Sequence, residues 1–160
     1  MDDWRRSAAR GELKVGTTVR FSRTFTAEDV SAFGRLTRDY NPVHDEARWC
    51  ELKGYRAPIC HGLLVGSMLC QPGGQWGWLA TSMSFRFRRP VYIGDTVSCE
   101  LRIVEMGERG WARGVCTLRN QRGEPVLEAE LRGYLPEAPE RALLAELGGE
   151  GTEAPAPTRP

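Results

Sequence analysis

Apolar side chains near the start of the chain recur first at every second position and then at helical spacing. Val19, Phe21 and Phe25 alternate through residues 17–25, the period of a half-buried strand. Thr26 follows where a helix cap belongs. Glu28 and Asp29 fall in the first turn, where acidic groups favour the helix dipole, and Val30, Phe33 and Leu36 line one face. The spacing predicts a short amphipathic helix ending near Arg38. Pro42 disfavours helical backbone at Asn41, so Asp39 to His44 is expected as a loop. A second short helical turn runs to Glu51, and residues 53–58 form another loop.

Between Ala57 and Phe85 there is no Asp, Glu, Lys or Arg. A membrane span is excluded there, because the apolar part from Ile59 to Cys70 falls short of the roughly 20 residues required and Gln71-Pro72-Gly73-Gly74-Gln75 ends it. A helix from about His61 to Gln71, apolar on nearly every side, is expected in the core. The remainder alternates again. Met83, Phe85 and Phe87 face one way and Ser84, Arg86 and Arg88 the other, with Pro90 closing the run. A turn at Gly94-Asp95 leads to Val97, Cys99, Leu101 and Ile103, and hairpins at 107–110 and 121–123 connect strands over 111–119 and 126–134. The pattern gives an α+β domain in which an antiparallel sheet covers the uncharged helix.

Composition changes this picture only at the ends. Half of the ten prolines lie in 136–160, a stretch richer in acid than base, so it reads as a disordered tail in which 141–147 makes at most a transient helical turn. Residues 1–13 read as a loose leader, leaving one domain over 14–135. The first residues carry charges of both signs and no apolar run, which points to a cytoplasmic protein. A net charge of +1 calls for no nucleic-acid partner. The five cysteines, odd in number and without a Cys-x-x-Cys pair, read as buried thiols.

Candidate chemistry concentrates around the two histidines, His44 and His61. Asp39-Tyr-Asn41-Pro42-Val-His44 sets a carboxylate and an imidazole five residues apart across a proline-stiffened loop, and a loop that folds back can bring both to one water. Hydration of an enoyl thioester needs a base for that water and an acid for the α-carbon, and positioned groups contribute roughly 10²–10⁴-fold. The thioester oxygen, which becomes enolate-like, needs a donor. Gly62 at the start of the uncharged helix offers a backbone N–H that has no partner within the helix. His61 reads as a structural or capping residue. A metal reading would gather Asp39, His44, Cys60 and His61, but their spacing matches no common metal motif, so no metal is expected.

The segments Asp39-Tyr-Asn-Pro-Val-His44, Ala57-Pro-Ile-Cys-His-Gly-Leu-Leu64 and Phe85-Arg-Phe-Arg-Arg-Pro-Val-Tyr-Ile-Gly-Asp-Thr-Val97 resemble the MaoC-like, or (R)-specific enoyl-CoA hydratase, family of the hot-dog fold, in order and spacing from about 14 to 135. The resemblance implies a sheet wrapped around the 61–71 helix, a catalytic pair of Asp39 and His44, a loop ordered by Asn41 and Pro42, and a Gly62 amide for the thioester oxygen. It also implies an acyl-CoA substrate entering near the interface of a homodimer or dimer of dimers. No cofactor is implied, coenzyme A being part of the substrate.

Two positions depart from the family pattern. Arg38 stands where glycine is usual, so a positive φ there would strain it, although its cation next to Asp39 would favour the ionised carboxylate. Cys70 replaces a serine of the central helix. Cys70, Trp76, Trp78 and Met83 are candidates for the acyl pocket, with core packing the alternative for the large side chains. Arg86, Arg88 and Arg89 are candidates for coenzyme A phosphates, with a solvated strand face the alternative. Two other functions fit the same fold: a thioesterase, and a non-catalytic acyl-CoA-binding subunit of a larger hydratase.

Overall fold

Five antiparallel strands form a single sheet in the order β1-β3-β4-β5-β2, seen in a computed structural model that describes residues 13–149. The strands are β1 (Thr18–Thr24), β2 (Leu79–Phe87), β3 (Thr96–Met106), β4 (Trp111–Arg119) and β5 (Pro125–Tyr134). In β3, Val97, Cys99, Leu101 and Ile103 are all buried while their neighbours face outward or are half-covered, as the period-two pattern requires. Pairing keeps these residues on the core face: Leu101 lies opposite Val19 and Cys116, and Cys99 opposite Leu118. β1 and β2 form the two edges.

The helices are α1 (Ala27–Thr37), α2 (Ala47–Leu52), α3 (Gly62–Gly66), α4 (Cys70–Trp76) and α5 (Ala138–Gly149). α3 and α4 are joined through a 3₁₀ turn at Ser67–Leu69, so the buried helical run continues past Gln71 to Trp76. Pro72 does not break it. The 3₁₀ turn restarts the helix at Cys70, which puts Pro72 in a first turn, where the missing N–H is tolerated. The run stops at Gly77, which caps it with φ 63°. Leu64, Val65, Met68, Leu69 and Trp76 join the core residues of β3, β4 and β5 in one cluster. The sheet thus wraps the helix as the hot-dog resemblance implies.

Two glycines bring this helix close to β2. A Cβ on Gly62 would stand 2.7 Å from the Phe87 ring, and one on Gly66 would stand 3.0 Å from Phe85. Four residues apart, they lie on one helix face and receive the two stacked phenylalanines.

Three expectations need correction. Residues 138–149 form a helix, with Pro139 tolerated in its first turn and the Glu137 N–H donating to Glu140. Leu144 lies against Gly77, close enough that a Cβ there would meet it at 2.9 Å. The prolines that suggested a tail thus mark a helix start. Residues 1–12 and 150–160, expected as leader and end of the tail, lie outside the described residues. Four cysteines are buried, but Cys70 is exposed on α4, and all five are free thiols. Trp76 and Trp78 belong to the core; the Trp78 ring lies on Gly114, where a Cβ would meet it at 2.8 Å. Among the described residues no helix is long and apolar enough to cross a membrane.

Candidate active site

The candidate loop begins at a firmly capped helix. Thr26 Oγ1 accepts the Asp29 N–H (3.1 Å) and Asp29 Oδ2 accepts the Thr26 N–H (2.9 Å), a reciprocal box that Arg23 extends with a 2.6 Å ion pair. The hydrogen bonds from Thr26 and the Arg23 cation hold the Asp29 carboxyl below its usual range. At the other end, Arg38 caps α1 with φ 59° and ψ 25°. Arginine therefore occupies the left-handed conformation that glycine adopts without strain. Among the described residues no ion pair joins it to Asp39.

Side chains then stitch the loop to itself. The Asp39 N–H donates to Thr37 Oγ1, the Asn41 N–H to Asp39 Oδ1, and the Val43 N–H to Asn41 Oδ1, each at 3.2–3.3 Å. Asn41 thereby caps the 3₁₀ turn Pro42–His44, whose first position takes the proline. The neighbouring segments hold the turn in place. The Val43 carbonyl accepts the Ile59 N–H at 3.1 Å and the Cys50 thiol of α2 at 3.2 Å.

His44 is oriented by main chain. Its Nδ1 lies 2.8 Å from the Ile59 carbonyl oxygen, which only accepts, so Nδ1 carries the proton in this contact. Nε2 then faces Asp39 Oδ2 at 3.7 Å. His44 is largely buried, its side chain 12% exposed, whereas that of Asp39 is 50% exposed. His61 stacks on His44 with ring centroids 3.7 Å apart, and its Nε2 lies 3.0 Å from the Asp39 carbonyl oxygen. Although His61 is the cap residue of α3, its side chain makes no capping hydrogen bond.

Two cavities meet at His44. One, of about 380 Å³, also touches Gly62, Tyr55, Phe87, Arg88 and Arg89; the other, of about 360 Å³, touches Asp39, Asn41, His61 and Arg35. Gly62 is the first residue of α3, and among the described residues nothing accepts its N–H. The imidazole of His44 is shared by the two cavities, with the Gly62 amide donor in the wall of the first and the Asp39 carboxylate in the wall of the second.

Other candidates are dispersed. Arg88 lines the first cavity but is paired with Glu128 at 2.6 Å, while Arg89 donates to the Pro125 carbonyl and lies 3.8 Å from Glu124. Arg86 is exposed on β2 outside both cavities. None of the four acyl-pocket candidates lines either one: the tryptophans are core side chains, Cys70 is on the outer side of α4, and Met83 is half-exposed on the edge strand. Of the metal-reading residues, Asp39, His44 and His61 have ligand atoms within 4.8 Å of one another, and Cys60 is not among them. Cys60 instead lines the first cavity, where burial, and then the Asp95 and Asp29 charges, push its thiol up to about 12.

The residues that the sequence did not single out, Ile59 and Cys50, each make a contact in which one partner is main chain. Ile59 orients His44 by its carbonyl, which leaves no side-chain signal. Cys50 had one: a thiol on a short helix next to the loop.

Comparison with known proteins identifies relatives of the chain. The family described as MaoC like domain matches residues 11–122. The chain is 33% identical over 100 residues to the (R)-specific enoyl-CoA hydratase of Aeromonas caviae, covering 60% of this chain and 75% of the relative. It is 31% identical over 149 residues to the 3-hydroxybutyryl-CoA dehydratase of Methylorubrum extorquens, covering 88% and 92%. The solved (R)-hydratase of A. caviae superposes with a TM-score of 0.73 at 30% identity, over 78% of this chain and 98% of that one. Matching in sequence over most of its length and in the wrapping of sheet around helix, the chain belongs to the MaoC-like family.

Proposed function

We propose that the protein adds water to the double bond of a trans-2-enoyl-CoA to give an (R)-3-hydroxyacyl-CoA, and catalyses the reverse dehydration. The observation that carries this reading is the pairing of His44 Nε2 with Asp39 Oδ2. When His44 is in its neutral form, the Nδ1 proton is held by Ile59 and Nε2 presents a lone pair to a carboxylate that also only accepts. Two acceptors 3.7 Å apart do not bond each other. A water molecule, with two donor hydrogens, satisfies both.

Chemistry follows from that water. As its oxygen bonds to the β-carbon, one O–H proton passes to a member of the pair, and the α-carbon takes a proton from the pair. The net change is one O–H bond and the π bond of the carbon–carbon double bond broken, and one C–O and one C–H bond formed. Negative charge reaches the thioester oxygen meanwhile, and the Gly62 N–H receives it. The groups needed for proton transfer and charge stabilisation come from this chain, so the reading requires no metal or other cofactor.

The first cavity suits the coenzyme A limb of the substrate. Arg89, whose nearest carboxylate is 3.8 Å away, is better disposed to meet a phosphate than Arg88, which Glu128 holds at 2.6 Å. A second copy of the chain is part of the reading as well. β2 is a sheet edge, and it exposes Leu79, Met83 and Phe87, an arrangement that pairing with another edge would cover. Free thiols in all five cysteines suit a cytoplasmic setting.

The test is incubation with crotonyl-CoA, followed by chiral analysis of the product. Loss of the conjugated thioester's ultraviolet absorbance with formation of (R)-3-hydroxybutyryl-CoA supports the reading. Free coenzyme A released without hydration would instead identify a thioesterase.

A further inference from the structure

We infer that His61 is a positioning residue for the proton-transfer pair: its Nε2–H holds the Asp39 main-chain carbonyl while its ring backs the face of His44. This rests on the hydratase reading for its chemical meaning and on geometry for its substance. The imidazole is buried, with 3% of its surface exposed. Its Nε2 lies 3.0 Å from the Asp39 oxygen, and since a carbonyl only accepts, the proton in this contact is on Nε2. Nδ1 is buried without a hydrogen-bond partner among the described residues. One nitrogen is thus committed to the acid's backbone, and the ring has no second polar anchor.

Packing supplies the remaining constraint. His44 stacks on the ring at 3.7 Å with 26° between planes, and Phe33 of α1 packs at 5.2 Å and 51°. Asp39 follows the strained Arg38 cap, and its side chain accepts only the Asn41 N–H within the loop, at 3.3 Å. The carbonyl contact therefore connects the catalytic loop directly to the start of α3, where Gly62 supplies the proposed oxyanion donor. Acid, base and amide donor are all referred to one side chain. Displacement of a reacting group by about 1 Å is enough to cost about 10²-fold in rate.

Two substitutions separate the donor from the ring. His61→Gln keeps an N–H donor near the Nε2 position and loses the aromatic face; His61→Phe keeps the face and loses the donor. On crotonyl-CoA, His61→Phe is expected to lower kcat by about 10²-fold with KM within about threefold, while His61→Gln recovers at least about tenfold of that loss. Crystal structures of both variants give a readout independent of turnover. The Asp39–His44 side-chain separation should widen in His61→Phe and remain near 3.7 Å in His61→Gln. Unchanged kinetics and unchanged separation in His61→Phe would overturn the inference, as would equal losses in the two variants with both loops intact. A wild-type protein inactive on all enoyl-CoAs, together with a displaced Asp39 in His61→Phe, would count against the hydratase reading and uphold the positioning role.

Discussion

His44 and Asp39 face each other at 3.7 Å, and the ring nitrogen of His44 that points away from Asp39 is held 2.8 Å from the Ile59 carbonyl. The second contact gives the first its chemical character. By anchoring Nδ1, Ile59 directs the other ring nitrogen, Nε2, at the carboxylate side. Ile59 itself is tied to the same loop through the Val43 carbonyl. The loop, the segment before α3 and the helix start therefore form one hydrogen-bonded unit.

Strain at Arg38 is testable by removing it. At φ 59° a side-chain-bearing residue costs roughly 1–2 kcal/mol, of which glycine's extra unfolded-state entropy offsets about half. Arg38→Gly should stabilise the fold by up to about 1 kcal/mol, read as a raised denaturant midpoint with activity retained. A loss of stability would show that the arginine side chain makes a stabilising contact.

The Thr26 box predicts an acid-dependent contribution. Asp29 has its carboxyl lowered in the folded protein, so its stabilisation is present above the unfolded-state value and is lost as pH falls through the folded one. Asp29→Ala should cost about 1 kcal/mol at neutral pH, and the gap from wild type should close below the ordinary carboxylate range. A gap that persists unchanged in acid would contradict this assignment.

Thiol labelling of the native protein should find Cys70 first. It is the exposed cysteine, whereas Cys60, although in a cavity wall, has its thiol pushed up to about 12, chiefly by burial. Mass spectrometry after brief alkylation at pH 8 should show one modified site. Rapid modification of Cys60 would mean that the first cavity opens further than the structure shows.

Gly62→Ala probes the contact between helix and edge strand. Its new Cβ would stand 2.7 Å from the Phe87 ring, so Phe87 must move and the cavity beside the amide must change shape. The expected result is a fall in kcat/KM of at least about tenfold, with a folded far-ultraviolet spectrum. Full activity would remove Gly62 from the account.

Much of this architecture was legible because it depends on local periodicity. Alternation in 97–103 marked β3, and Thr26 with Asp29 marked the start of α1. The break at Asn41-Pro42 marked the loop, and the glycine usual in the family at the position of Arg38 made a positive φ there foreseeable. Long-range backbone contacts were not legible. His61 reaches the Asp39 carbonyl across 22 residues, and Ile59 reaches His44 across 15, and neither partner's side chain advertises the contact. Prolines misled twice for one reason: Pro72 and Pro139 look like terminators in a linear reading but occupy first turns, where proline is compatible with a helix. The tryptophans were ambiguous between pocket and core until Gly114 was seen to receive the Trp78 ring.

The central claim is that Asp39 and His44 act together on one water, and the direct measurement is kcat on crotonyl-CoA for Asp39→Asn, His44→Ala and the double variant. Each single change is expected to lower kcat by about 10²–10⁴-fold, and the double variant to be little worse than the weaker single one, because the two groups serve one step. Wild-type rates in either single variant, or losses that multiply in the double, would contradict it.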